Sequence, residues 1–311
     1  MAFLYALPGA VAEGLIWGLM AIGVYISYKI LDIADLTVDG SICTGACVCA
    51  VLLGLGLPAW VCVLAALLAG ALTGMVTGLL HTRLGIPSIL AGILTQLMLY
   101  SVNLLILSGK SLVPVDPRAN NLLVHMSNNP RSILVMAIVV TATIFVLYEF
   151  FYTQIGLTLK SAGDNPDMSR AQGVDVDRNK VLGLAIANGI VAMAGAMLAQ
   201  YKGSANINDG RGAIVIALAA IFIGLSVSLK IKPNFVVSLI GVVSGGIVYY
   251  IVYNFVILLG LKTDYLKMLS AIIVALFLGV PYLKGKYFTK QRDLRPSQII
   301  EQSRKGGNGD A

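Results

Sequence analysis

Apolar stretches of roughly 18 to 26 residues recur along the chain, each long enough to cross a bilayer as a helix and parted by short segments that carry charges, Pro or Gly. They cover 11–30, 37–54, 58–80, 87–108, 132–152, 181–201, 212–229, 234–259 and 266–283. The pattern predicts an all-α polytopic membrane protein of about nine transmembrane helices. Four spans, a connecting fifth and four more place the two sets of four in opposite orientations, a 4+1+4 inverted repeat of the kind transport folds use. The halves share one feature. An apolar helix opening at Gly14 runs into Asp35-Leu36-Thr37-Val38-Asp39-Gly40-Ser41, and one opening at Gly183 runs into Asn206-Ile207-Asn208-Asp209-Gly210-Arg211-Gly212. Asp-Gly therefore stands at corresponding places, either as matched interruptions or as two ordinary turns.

Composition makes lipid the solvent. Of 311 residues 58% are hydrophobic and only 12% charged, about half the charged share of a soluble domain. That leaves too little polar surface to coat a water-exposed body, in keeping with a mean hydropathy of +0.86. The formal charge of +7 gathers toward the tail beyond Lys284, a distribution that sets membrane orientation and does not point to nucleic acid. With the C-terminus cytoplasmic, fifteen Lys and Arg fall inside against seven outside, so the N-terminus is expected outside. Residues 1–283 would form the transmembrane domain, with its longest inner loop at 153–180. Residues 284–311 would form a basic cytoplasmic tail, disordered beyond about residue 300 and able to lie on anionic membrane lipid. The start lacks the positive segment of a cleavable signal, so the first span is expected to remain.

Gly70, Gly74 and Gly78 share one helix face, and Gly241 and Gly245 repeat the spacing; such stripes let backbones approach closely, within the fold or at a dimer seam. Cys43, Cys47, Cys49 and Cys62 lie in or beside apolar runs and read as packing residues. No ionisable residue falls near the centre of an assigned span, Glu13 and Glu149 lying at span ends. Intramembrane charges mark ion-coupled carriers and pumps, so the energy source is expected elsewhere. Thr95, Gln96, Ser101, Asn103 and Asn188 fall within spans and could line a path or bond across helices. Ser108-Gly109-Lys110-Ser111 ends like a phosphate loop but has Leu104 where the motif needs glycine, and Gly54-Leu55-Gly56 matches a dinucleotide loop only until Pro58. His81 and His125 fall on opposite sides of the membrane in this topology. Neither catalytic nor metal-ligating residues are assigned.

In the inner loop, Asn165 is a good N-cap, Pro166 suits the first helical position, Asp167 favours the positive helix end and Gly173 can end the turn. The spacing predicts a two-turn helix with Met168 and Ala171 on one face. A helix so short is marginal alone, so it is either packed on its own domain or docked to a cytoplasmic partner.

Asp35 to Ser41, Leu84-Gly85-Ile86-Pro87-Ser88-Ile89-Leu90-Ala91, and Lys160 to Asp175 followed by Asn179-Lys180-Val181-Leu182 carry a resemblance that runs from about residue 14 to 283. The chain resembles the integral-membrane permease of bacterial ATP-binding-cassette importers in the branched-chain amino acid and ribose group, most nearly the branch linked to uptake of tryptophan or other amino acids. The additional N-terminal helix usual in sugar-type relatives is not expected here. The resemblance implies a plasma-membrane homodimer working with an ATPase subunit, which binds ATP and Mg, and with an external solute-binding protein or lipoprotein. This chain would hold no cofactor. The coupling element that inserts into the ATPase would comprise Gly163, Asp164, Asn165, Pro166, Met168, Arg170, Ala171 and Gly173. The interrupted helices would flank the solute route, giving Asp39, Gly40, Ser41, Pro87, Ser88, Thr95, Gln96, Asp209, Gly210 and Gly212 as translocation-path candidates. The outer 109–131 loop is a candidate contact for the binding protein or a plain surface loop. A secondary carrier or channel without an ATPase is the alternative class.

Overall fold

The apolar runs fold as helices because a chain in lipid must satisfy its own backbone groups. A computed structural model describes residues 2–115, 122–126, 129–228 and 234–258, with isolated helical positions between 268 and 279. Most of the expected ninth span and all of the 284–311 tail lie outside the described residues, as does part of the 109–131 loop.

Every expected run up to residue 258 is helical: α1 (Ala2–Tyr25, continued by a π-helical turn Ile26–Ile30), α2 (Val38–Gly54), α3 (Ala59–Thr82), α4 (Ser88–Ile106), α5 (Asn129–Tyr152), α8 (Val176–Lys202), α9 (Ala213–Ser228) and α10 (Phe235–Leu258). Among the described residues six helices are long and apolar enough to cross a membrane, whereas α2 and α9 are shorter. At 1.5 Å per residue α8 is about 40 Å long and α2 and α9 about 25 Å each. Between α5 and α8 lie α6 (Gln154–Asp164) and α7 (Pro166–Ala171).

Three features differ from the sequence expectation. Helix α1 begins at Ala2 and not at residue 11, which puts Glu13 inside the helix instead of at its outer end. Residues 154–164, expected as loop, form α6, whose buried face is Gly156, Leu159 and Ala162; the exposed apolar Ile155 and Leu157 blur that three-residue spacing. A short antiparallel ribbon joins β1 (Leu112–Pro114) to β2 (Ser204–Asn206), with Val113 opposite Ala205.

Helix α8 is the element on which α1, α2 and α3 pack, buried along nearly its whole second half. Gly70 and Gly74 of α3 leave no room for a side chain against the Asn188 and Leu184 carbonyls, and Gly78 faces Val181. Gly45 of α2 lies on the Ala192 carbonyl, Gly195 of α8 on the Ile42 carbonyl, and Gly23 of α1 on Ala187. Gly245 of α10 likewise meets the Ala220 carbonyl of α9, and Gly224 of α9 the Gly241 carbonyl. The glycine stripes thus serve packing within the chain, where removing the side chain lets helix backbones touch. All four cysteines are free and buried.

Filling these contacts should be costly. Gly45→Val and Gly74→Val are each expected to lose about 1–3 kcal/mol through overpacking and to lower the melting temperature in detergent, read by size-exclusion chromatography after heating. Gly54→Ala, whose added methyl would meet nothing within 4 Å, should melt like the parent.

Candidate functional site

The site grows from two interruptions in the helical pattern. The π-helical turn closes with Leu31 N–H on the Ile26 carbonyl (3.0 Å) and Ile33 N–H on that of Ser27 (2.9 Å), and Asp32 then takes a left-handed φ of 54° that ends the helix. Residues 31–37 are irregular yet largely buried. Asp35 organises them. Its Oδ1 accepts from the Thr37 backbone N–H at 2.9 Å, a local turn that launches α2, and its Oδ2 accepts from Asn188 Nδ2 at 2.6 Å. Asn188, near the middle of α8, also donates to the Leu184 carbonyl (3.1 Å) and accepts from Ser41 Oγ (2.6 Å).

Ser41 Oγ lies 2.8 Å from Thr73 Oγ1, Thr37 Oγ1 lies 2.7 Å from Thr77 Oγ1, and Thr77 donates to Thr95 at 3.0 Å. Asp35, Thr37, Ser41, Thr73, Thr77, Thr95 and Asn188 are all buried. This network ties the break to α3, α4 and α8. Burying a carboxylate is tolerable only where donors meet it, and Asn188 and the Thr37 amide do so here.

The second interruption begins where α8 ends at Gly203 in a left-handed cap, φ 69°. After β2 the chain folds back along α2: the Cys43 thiol donates to the Ile207 carbonyl (3.3 Å), and Gly210 N–H donates to Cys43 Sγ (3.1 Å). Gly210 has no space for a side chain beside the Asp39 carbonyl. Asp39, in the first turn of α2, accepts from Gly212 N–H through Oδ2 and from Ile214 N–H through Oδ1, both at 2.9 Å. A carboxylate there answers the unpaired N–H groups and positive end of α9.

The two short helices therefore start side by side and diverge. Ser41 faces Asn188 and Cys49 faces Gln200, so α2 runs with α8. Gly14 and Gly18 of α1 meet Ile247 and Val243 of α10 in reversed order, as Gly23 of α1 and Gly183 of α8 meet Ala187 and Leu31. Because α9 is likewise antiparallel to α10, it runs opposite to α2.

Where they meet, α2, α4 and the 207–211 segment enclose a cleft of about 380 Å³. From the path candidates it gathers Asp39, Gly40 and Gln96, and it adds Tyr100, Asn103 and Arg211. The Arg211 guanidinium sits 5.9 Å from the centre of the Tyr100 ring. Ser41 and Thr95 belong to the buried network instead, Gly210 and Gly212 form the turn that Asp39 holds, and Asp209 pairs with Lys202 at 3.6 Å. Pro87 and Ser88 open α4 and do not line the cleft. Sequence reasoning missed Asp35, Thr73 and Thr77 as network members, although two threonines interleaved with the Gly70, Gly74 and Gly78 stripe carried a signal.

In the 153–180 segment, Asn165 Oδ1 accepts from Met168 N–H (3.0 Å), Pro166 takes the first helical position and Gly173 adopts φ 82°, as the spacing predicts. Ser169 is the buried residue of α7 and bonds Ser161 of α6 at 3.3 Å. Arg170 pairs with Asp167 (3.7 Å) and Asp177 (3.5 Å). Met168 and Ala171 are exposed. Gly163 lies against the Ile30 carbonyl, with no room for a side chain. No group of His, Cys, Asp and Glu able to hold a metal occurs among the described residues.

The network supplies a direct test. Asn188→Leu strips the Asp35 carboxylate and the Ser41 hydroxyl of a partner at once, and should cost about 3 kcal/mol or more. Thermal melting of the detergent-purified protein should show a larger loss than Thr143→Val at the part-buried Thr143, whose hydroxyl bonds only the Val139 carbonyl.

Residues 9–278 match the family described as branched-chain amino acid transport system / permease component. The chain is 37% identical to the tyrosine transport system permease protein of Clostridioides difficile, over 86% of this chain and 88% of the relative. It is 25% identical to the ribose import permease protein RbsC of Escherichia coli, over 78% and 75% respectively. The autoinducer 2 import system permease protein LsrC of Yersinia enterocolitica is 27% identical over 60% of this chain and 52% of its own length. No solved structure matches. With its long apolar helices and a match over most of its length, the chain belongs to the branched-chain amino acid transport permease family: it is an integral membrane transport subunit, not an enzyme.

Proposed function

We propose that this permease subunit of an ATP-binding-cassette importer moves an amino acid delivered by an external binding protein, and that it works as a homodimer with two ATPase subunits. The observation that carries the solute class is the 37% identity with a tyrosine transport permease. One chain offers one capped inner helix, so a symmetric pair matches two ATPases. ATP and Mg belong to those partners.

In this reading α7 is the coupling helix. Its polar side is held to α6 through Ser169 and Ser161, which leaves Met168 (58% exposed) and Ala171 free to enter a partner surface. Gly163, Asp164, Asn165, Pro166, Arg170 and Gly173 shape and cap that element. The solute route runs beside the meeting point of α2 and α9, whose opposed directions and paired Asp-Gly breaks support a 4+1+4 inverted repeat. Exposed backbone at a helix break is tolerable only where protein or water covers it, and the cleft at Asp39, Gly40 and Gln96 is such a place. The orientation with N-terminus outside and C-terminus inside follows from the charge asymmetry of the loops.

Reconstituted into vesicles with ATPase and binding protein, Met168→Asp is expected to reduce ATP-driven amino acid uptake about tenfold or more, because a buried unpaired carboxylate replaces an apolar contact at the partner surface. Gly173→Pro should act likewise by distorting a φ 82° turn. Both variants should insert into the membrane and elute with the parent. Uptake equal to the parent in both would remove α7 from the coupling role.

A further inference from the structure

We infer that the 380 Å³ cleft is a halting site for the zwitterionic head group of an α-amino acid, its carboxylate on Arg211 and its ammonium on the amide oxygen of Asn103. The inference rests on the permease reading above and adds to it the group recognised and the residues that recognise it. Its first support is Asn103. The residue is 1% exposed and lines the cleft, yet its Oδ1 has no hydrogen-bond partner. A buried acceptor left without a donor is costly to keep, and an ammonium entering the cleft is a donor that meets it.

The second support is the charge arrangement. Asp39 Oδ1 and Oδ2 already accept from the first N–H groups of α9, so its charge is largely answered there. Among the described residues Arg211 forms no ion pair; the Tyr100 ring supports it from 5.9 Å, leaving the guanidinium fork open to a carboxylate. Gln96 adds an amide on the same wall. A sugar offers hydroxyls but no anion for Arg211. The volume lies within the range of small-molecule sites, about 300–1,000 Å³.

Two measurements test this. The complete importer in ATP-loaded vesicles is offered each ¹⁴C-labelled protein amino acid and, separately, D-ribose. Then the amino acid that accumulates is titrated by equilibrium dialysis against the permease–ATPase complex without binding protein, beside its carboxamide. The parent should accumulate an amino acid and bind it about tenfold or more tighter than the carboxamide, the loss expected for one charged hydrogen-bonding partner. Arg211→Gln should erase that discrimination, Arg211→Lys should restore part of it, and Asn103→Leu should weaken binding of both compounds by a similar factor. Accumulation of D-ribose alone overturns the solute class. Amino acid uptake with equal binding of acid and carboxamide by the parent overturns the cleft and leaves the permease reading standing. Absence of any ATP-driven uptake by the parent overturns the permease reading itself.

Discussion

A helix interrupted inside an apolar medium leaves backbone N–H and carbonyl groups that no water can reach, and each must be met from within the chain. The molecule meets this constraint with two carboxylates, Asp35 at the first break and Asp39 at the second. Asp39 stands in the first turn of α2, and its carboxylate accepts from Gly212 and Ile214 at the start of α9. At the first break the Asp35 carboxylate accepts from the Thr37 N–H that launches α2, so the second break is completed from the first. Neither α2 nor α9, about 25 Å long, covers the distance of α8, and their shared starting point lies at a depth set by Ser41 and Asn188, mid-way along α8.

Close approach of backbones makes this placement possible. Gly45, Gly70, Gly74 and Gly195 bring α2 and α3 against α8 without intervening side chains, which puts the short hydroxyls of Ser41, Thr73 and Thr77 within bonding reach. Longer side chains at the glycines would separate the helices and strand those polar groups. The Asp35 carboxylate is then held by an Asn188 amide that serves three partners at once. Packing by small residues and bonding by buried hydroxyls are one device, since in lipid the apolar surfaces alone do little to draw helices together.

Much of this could be read from residue order. Hydropathy located every described long helix because about 20 apolar residues is a physical requirement of crossing, and the cap chemistry of Asn165, Pro166 and Gly173 placed α7. The Asp-Gly correspondence marked both breaks. What it could not convey was that the breaks touch, since the partner of Asp39 lies more than 170 positions away. The expected start of α1 at residue 11 follows from Pro8, which reads as a helix break, yet the helix runs through it from Ala2. Helix α6 was missed because its buried face has only three residues, Gly156, Leu159 and Ala162. Gln96, Tyr100 and Asn103 follow one another at helical spacing on α4, but Arg211 lies more than 100 positions further on, and no local pattern brings it to them.

Helices α6 and α7 and the first break are mechanically adjacent. In the proposed coupling, force enters at Met168 and Ala171 of α7 and passes to α6 through the Ser169 to Ser161 contact. Helix α6 bears directly on Ile30 through Gly163, and Ile30 ends the π-helical turn, a form of helix that is rare and tends to occur at functional positions. Five residues further on, Asp35 is anchored to α8. A displacement of α6 is therefore applied to a segment fixed at one end by Asn188 and wound loosely at the other. The segment between them starts α2, whose Asp39 holds α9. Movement at α7 thus reaches both short helices through a single irregular stretch, residues 31–37, and with them the cleft beside Asp39.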